Sequence, residues 1–151
     1  MAKTTGQISS LFIPVTHNNL LLPNAAVAEI IDYVPPEPVS GTPAWFLGYV
    51  QWRGVQLPVL SYDLINGHEA GALSPRARIA VINSIGEQHK SLPFFALLCQ
   101  GIPRLVKVQQ EEISEQEQPG GPADQMLVRV SGEDAAIPNL EFLARQLTEI
   151  L

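Results

Sequence analysis

WFLGYVQWRGVQLPVL, residues 45–60, is the stretch from which the fold can be read. Two apolar runs flank the pair Arg53-Gly54, and such an X-Gly pair signals a hairpin, because glycine supplies the positive φ that a two-residue turn demands. Alternation puts Phe46, Gly48, Val50 and Trp52 on one face and Leu47, Tyr49 and Gln51 on the other. Gly48 inside a strand marks either a bulge or the close approach of another backbone. Pro58 has no N–H to give to a ladder, so its strand lies at a sheet edge or turns that position outward.

The same grammar of short runs rich in Val, Ile, Leu and aromatics extends in both directions. Upstream, residues 9–15 read as a first strand with Leu11, Ile13 and Val15 on one face and Phe12 on the other. His17-Asn18-Asn19 forms a turn, and Leu20 begins the return. Residues 23–28 fit one helical turn and 29–34 an extended segment. The proline-rich residues 35–43 can be neither helix nor central strand and form a stiff connection. Downstream, residues 61–67 predict a short helix or turn closed by Gly67. Residues 77–85 and 93–99 predict a second hairpin, and 104–108 another strand. The acidic, then Pro/Gly-rich stretch 111–123 predicts a solvated turn and loop. Strands at 125–130 and 135–137, joined by a tight turn at 131–134, close the series. From Asn139, a residue type suited to a helix cap, Leu140, Leu143, Leu147 and Ile150 recur at helical spacing, so an amphipathic helix should lie on the sheets.

Composition limits what such a fold can do. Of 151 residues, 46% are hydrophobic and 16% charged, the reverse of a disordered chain. Nine Lys and Arg against fifteen Asp and Glu leave a net charge of −6, with the basic residues scattered, which argues against nucleic acid and against an anionic membrane surface as partners. Cys99 has no second cysteine to pair with. The N-terminal apolar run LFIPV is shorter than a signal-peptide core, and no run is long enough to span a bilayer, so the expected location is the cytoplasm, with no direct membrane insertion.

Signals for chemistry are sparse. His17, His68 and His89 lie far apart in turn-like contexts and read as solvent-exposed turn histidines, so no metal site is expected. Cys99 ends the run FFALLC and reads as a core thiol, poorly ionised when buried. Asp63 and Glu29 are single carboxylates with no partner fixed by sequence, and no G-x-S-x-G, G-x-G-x-x-G or P-loop pattern occurs. No catalytic residue or cofactor site is therefore assigned. The competing reading is a small-molecule-handling β-barrel, enzyme or binding protein, using a cleft near Cys99. Two tryptophans and a tyrosine within residues 45–52 serve either a core or an interaction surface. Arg53, beside Trp52 at an exposed turn, is an interface anchor or a solvent-facing turn arginine.

Taken together, residues 43–60 (PAWFLGYVQWRGVQLPVL) resemble the central signature of the CheW-like coupling domains of bacterial chemosensory arrays. Leu20-Leu21-Leu22-Pro23, followed by Val27-Ala28-Glu29-Ile30-Ile31, resembles a second family segment, and residues 140–147 its closing helix. The resemblance implies an all-β fold of two intertwined, SH3-like five-stranded barrels with a C-terminal amphipathic helix, residues 1–151 forming one free-standing domain. It implies an adaptor, not an enzyme, without cofactor: one barrel binds the regulatory domain of a histidine kinase, and a groove between the barrels grips a chemoreceptor's cytoplasmic tip. Carried over by position, Arg53 and its neighbour Trp52 fall near the receptor contact, and Val27, Glu29 and Ile30 flank the groove. Leu57, Pro58 and Val59 fall on the kinase-binding edge. Ser61, Cys99-Gln100 and Pro138-Asn139-Leu140-Glu141 depart from the family pattern, which suggests a divergent, accessory member of a pilus-type system that drives twitching motility.

Overall fold

Alternation makes strands here because successive side chains point to opposite faces, and a strand such as Gln7–Pro14 sends Leu11 and Ile13 into one core cluster and Phe12 into another. The computed structural model describes residues 7–84 and 90–151. Its strands are β1 (Gln7–Pro14), β2 (Asn19–Pro23), β3 (Val27–Asp32), β4 (Phe46–Trp52), β5 (Val55–Leu60), β6 (Arg78–Asn83), β7 (Phe94–Cys99), β8 (Arg104–Gln109), β9 (Ile113–Glu115), β10 (Asp124–Val130) and β11 (Glu133–Pro138). The helices are α1 (Tyr62–Ile65) and α2 (Leu140–Ile150), and Asn24–Ala26 and Gln110–Glu112 each make a 3-10 turn. One sheet runs β8-β1-β2-β11-β10-β9 and the other β3-β6-β7-β5-β4. The first two strands thus belong to one sheet, the chain crosses to the other at β3, and it returns at β8.

The first sheet has six strands, not the expected five. Within the acidic stretch, Ile113–Glu115 pairs with β10 through Ile113↔Val130, Ser114↔Arg129 and Glu115↔Val128. A three-residue strand with one apolar side chain has no periodicity to detect, so long-range pairing decides it. His89 and the end of the predicted 77–85 strand lie outside the described residues.

Among the described residues, three clusters fill the interior. Phe12, Leu21, Val108, Val128, Val130 and Ala135 pack inside the curl of the first sheet. Val50, Leu57, Val59, Ile79, Val81 and Ala96 pack inside the second. Between the sheets lies a larger core built from Leu11, Ile13, Leu20 and Leu22 of the first, Leu60, Ile82, Phe95 and Leu97 of the second, and the apolar face of α2. Leu11 and Ile13 therefore enter the shared core while Phe12 enters its own barrel, as alternation predicted. Helix α2 starts where Asn139 Oδ1 accepts the Phe142 amide at 3.0 Å, and Glu141 in its first turn suits the positive end of the helix dipole. It buries Leu140, Leu143, Ala144 and Leu147, and each buried leucine contributes about 1.5–3 kcal/mol.

Two details of the central hairpin differ from simple alternation. A register shift between Phe46 and Gly48 sends Phe46 and Tyr49 toward the shared core and Leu47, Val50 and Trp52 toward the second barrel. Phe46, Val50 and Trp52 are thus not on one face, because the bulge inverts the count between them. The turn itself holds Arg53 at φ +48° and Gly54 at φ +77°, the left-handed pair that a two-residue hairpin of the correct twist requires.

Candidate functional site

Strands β3 and β4 are the two outer strands of the five-stranded sheet, yet side chains join them. The sheet curls until the Trp52 indole Nε1–H donates to Glu29 Oε1 at 2.9 Å, and Arg53 Nη2 donates to the same oxygen at 3.1 Å. The Arg53 guanidinium carbon stands 5.2 Å from the centre of the Trp52 ring, within cation–π range. On the other side Trp52 meets Phe94 edge-on, with ring centres 5.0 Å apart. Trp52 is thus the hinge pin of the cluster. Its ring is seated against the barrel interior, its N–H closes the sheet onto β3, and it supports the arginine at the hairpin tip.

Donation from Trp52 first, and from Arg53 second, holds the Glu29 carboxyl below its ordinary 4.5, so it is charged at neutral pH. The Arg53 and Glu29 side chains are 71% and 38% exposed. An ion pair so open to water contributes little to stability; what it does is fix direction. Among five guanidinium donors one bond to Glu29 leaves the rest toward solvent.

Sequence expectation and structure agree unevenly here. Arg53, Trp52 and Glu29, though 24 residues apart in the chain at their furthest, are brought together. Val27 and Ile30 point to the opposite side, half-buried against the shared core, because a register shift lies between Val27 and Glu29. Beside them an apolar cavity of about 470 Å³ opens between β2, the 24–26 turn and the start of α2, with Leu22, Pro23, Ala26, Ile137, Pro138 and Leu140 on its walls. Leu57, Pro58 and Val59 do not form an exposed edge. All three are buried, and β5 lies inside the sheet between β7 and β4. Towards β4 the proline loses nothing, because its partner Tyr49 directs both backbone groups away from β5, to Glu37, and on the other side the register with β7 begins at Val59. The exposed residues of that strand are Val55 and Gln56. Trp45 and Trp52 are both half-buried, each with one flank on a core cluster.

A polar cluster that the sequence reading missed lies at the far side of α1. His17 and His68 are not isolated: their rings stack with centres 4.7 Å apart. Below them Asp63, buried, accepts the Thr16 and His17 amides at 3.0 and 3.2 Å. The Tyr62 hydroxyl donates to Asp124 Oδ1 at 2.7 Å and Ala123 O at 2.9 Å, and Asn66 bonds Asp124 Oδ2 and the Ala123 amide. These groups line a cavity of about 390 Å³. Every carboxylate in it is already occupied by amides or hydroxyls of the chain, which makes it a clamp between β1, α1 and β10. The one available sequence signal was the density of polar residues in 61–68 amid apolar runs.

Cys99 is buried, and burial pushes its thiol up to about 12, so it supplies almost no thiolate at neutral pH. It lines neither cavity. Among the described residues, no group of three or more His, Cys, Asp or Glu could hold a metal ion, and no helix is long and apolar enough to cross a membrane.

With this geometry in hand, the chain can be set beside known proteins. Residues 10–147 match the family model described as "CheW-like domain". The fold is similar to that of the scaffolding protein TtCheW from Thermoanaerobacter tengcongensis, with a TM-score of 0.76 and 16% identity over 90% of this chain and 91% of that one. No curated protein sequence matches it.

Proposed function

We propose, for a chain that belongs to the CheW-like domain family, the role of a chemosensory adaptor that couples receptors to a histidine kinase by surface contact. The observation that carries this reading is the hairpin tip. Arg53 is exposed, braced by Trp52 and Glu29 on a rigid two-residue turn, and keeps most of its donors free. A guanidinium already held in place loses little freedom on binding, which is what an interface anchor needs. Its natural counterpart is a carboxylate on the cytoplasmic tip of a chemoreceptor, with Val27, Ile30 and the neighbouring apolar cavity receiving nonpolar side chains of the same helical hairpin. The kinase regulatory domain is assigned to the β5 side. There Val55 and Gln56 make the contact, and Leu57, Pro58 and Val59 stiffen the strand behind them. Departures from the family pattern at Ser61, Cys99 and Asn139 favour an accessory adaptor of a pilus-type system, acting in the cytoplasm at receptor arrays.

The test uses the purified chain with the regulatory domain of a chemotaxis-type kinase and a receptor cytoplasmic fragment from the same organism. Arg53→Ala should weaken receptor binding about 30-fold, the effect of a typical interface hot spot, with the circular dichroism unchanged. Val55→Asp should weaken kinase binding and leave receptor binding as it was. Binding of both partners within twofold of the unmodified chain would refute the assignment. Val59→Asp is unsuited to the purpose, since that side chain has no exposure and would report folding.

A further inference from the structure

Where α1 ends the chain reads Asn66-Gly67, and the fold needs each residue for a separate reason. Gly67 takes φ +87°, the left-handed step that stops a helix. Its amide donates back to Leu64 O at 3.1 Å, and the His68 amide donates to Asp63 O at 2.8 Å. Asn66, 8% exposed, serves through its side-chain amide, which offers donors and an acceptor at once. Its Nδ2 donates to Asp124 Oδ2 at 2.9 Å, and its Oδ1 accepts the Ala123 amide at 2.8 Å. The loop ahead of β10 closes tightly over it, since a Cβ on Gly121 would fall 2.5 Å from Asn66 Oδ1 and 2.7 Å from its Cγ.

Chemically the same pair is labile, because glycine has no Cβ to shield its nitrogen. That nitrogen can attack the asparagine Cγ. The new N–C bond closes a succinimide ring, the Cγ–Nδ2 bond breaks, and Nδ2 leaves as ammonia, carrying the proton of the backbone amide. Water then opens the ring at either carbonyl, leaving aspartate or isoaspartate. In the folded chain this path is barred. Asn66 has ψ 6°, which turns the Gly67 nitrogen toward the residue's own nitrogen and away from Cβ and Cγ. The Gly67 amide is engaged by Leu64 O, and the leaving Nδ2 is held by Asp124.

We propose that Asn66 is a self-modification site locked by the clamp between α1 and β10: it deamidates in molecules whose clamp has opened, and the product cannot close the clamp again. No outside agent is needed, because local opening is part of the native ensemble and water is the only co-reactant. In the product, the Nδ2 donor has become a carboxylate oxygen facing Asp124 Oδ2. Two like charges then stand at hydrogen-bond distance, and the Gly121 loop leaves them no room to part. Isoaspartate goes further, since it adds a carbon to the backbone at the end of α1. Each opening thus offers a one-way exit from the bond network that ties α1 to β10. This inference is independent of the adaptor reading.

The test follows the peptide that carries residues 66 and 67 by mass spectrometry during incubation at pH 8, with isoaspartate scored separately. The unmodified chain should convert readily in urea and far more slowly when folded. Tyr62→Phe, which removes a neighbouring bond of the clamp, should convert about tenfold faster than the unmodified chain when both are folded, and at the same rate when both are unfolded. Asn66→Asp stands for the product and should unfold at a lower urea midpoint. Adding Asp124→Asn should restore part of that midpoint, since a donor again faces an acceptor. Conversion of the folded, unmodified chain at its unfolded rate would overturn the proposal. So would a folded Tyr62→Phe chain that converts no faster than the unmodified one, or Asn66→Asp with an unchanged midpoint. If Asn66→Asp fails to fold, the double variant decides: a chain that folds supports the repulsion from Asp124, and one that does not overturns it.

Discussion

Replacing Tyr62 by Phe removes one oxygen from the clamp between the sheets and nothing else. The side chain is 3% exposed, and its hydroxyl has one proton for two acceptors, Asp124 Oδ1 at 2.7 Å and Ala123 O at 2.9 Å. Burial, reinforced by Asp124, pushes the phenol far above its ordinary range, so the donor is intact at any pH used for the experiment. A hydrogen bond to a charged acceptor contributes about 1.5–3 kcal/mol. Asp124 keeps two donors on its other oxygen, Asn66 Nδ2 and the Gly121 amide, both at 2.9 Å. It is also only half-buried, so water can replace part of what is lost. That places the loss near the lower end, about 1.5 kcal/mol, which in a chain of this size lowers Tm by about 3–6 °C. Urea unfolding followed by tryptophan fluorescence should show a lower midpoint with an unchanged slope. Tyr62→Phe with Asp124→Asn should cost less than the sum of the single changes, because they share the bond. A loss under about 0.5 kcal/mol, or strict additivity, would refute the view that this contact couples α1 to β10.

Other expectations follow from the same geometry. Glu29 has its carboxyl lowered below 4.5 by Trp52 and Arg53, so whatever stability the contact adds is present above that value and is lost as pH falls through the lowered one. Tryptophan emission should therefore change in that acidic window, and the step should vanish in Glu29→Gln. Cys99, with its thiol at about 12, should resist a thiol reagent at pH 8 in the native protein and react at once in denaturant; fast native labelling would return the Cys99 reading to contention. Leu143→Ala, at a fully buried site of the shared core, should destabilise by about 2–5 kcal/mol in the same urea assay. It should leave receptor affinity of the folded fraction unchanged.

The hairpin and its tip were legible because their signals are local. Arg53-Gly54 between alternating runs dictates a two-residue turn, and Asn139 ahead of Leu140, Leu143 and Leu147 dictates a capped helix. The strand that Ile113 anchors was not legible, since its stability comes from β10 and not from its own residues. Nor was the inversion of faces between Phe46 and Val50, which a single extra residue produces and no periodicity shows. For the site, Arg53 and Trp52 could be singled out as neighbours in the chain, but their tie to Glu29 exists only because the sheet curls its two borders together.

Composition and pattern thus determined by themselves that this is a folded β protein with a terminal helix, because the alternation of nonpolar side chains and the chemistry of turns act over a few residues. Tertiary structure alone decided which of those residues face water. It buried Leu57, Pro58 and Val59 behind Val55, stacked His17 on His68, and laid Glu37 along β4. Each of these depends on contacts between segments distant in the chain, whose free energy is set by geometry that no local stretch encodes.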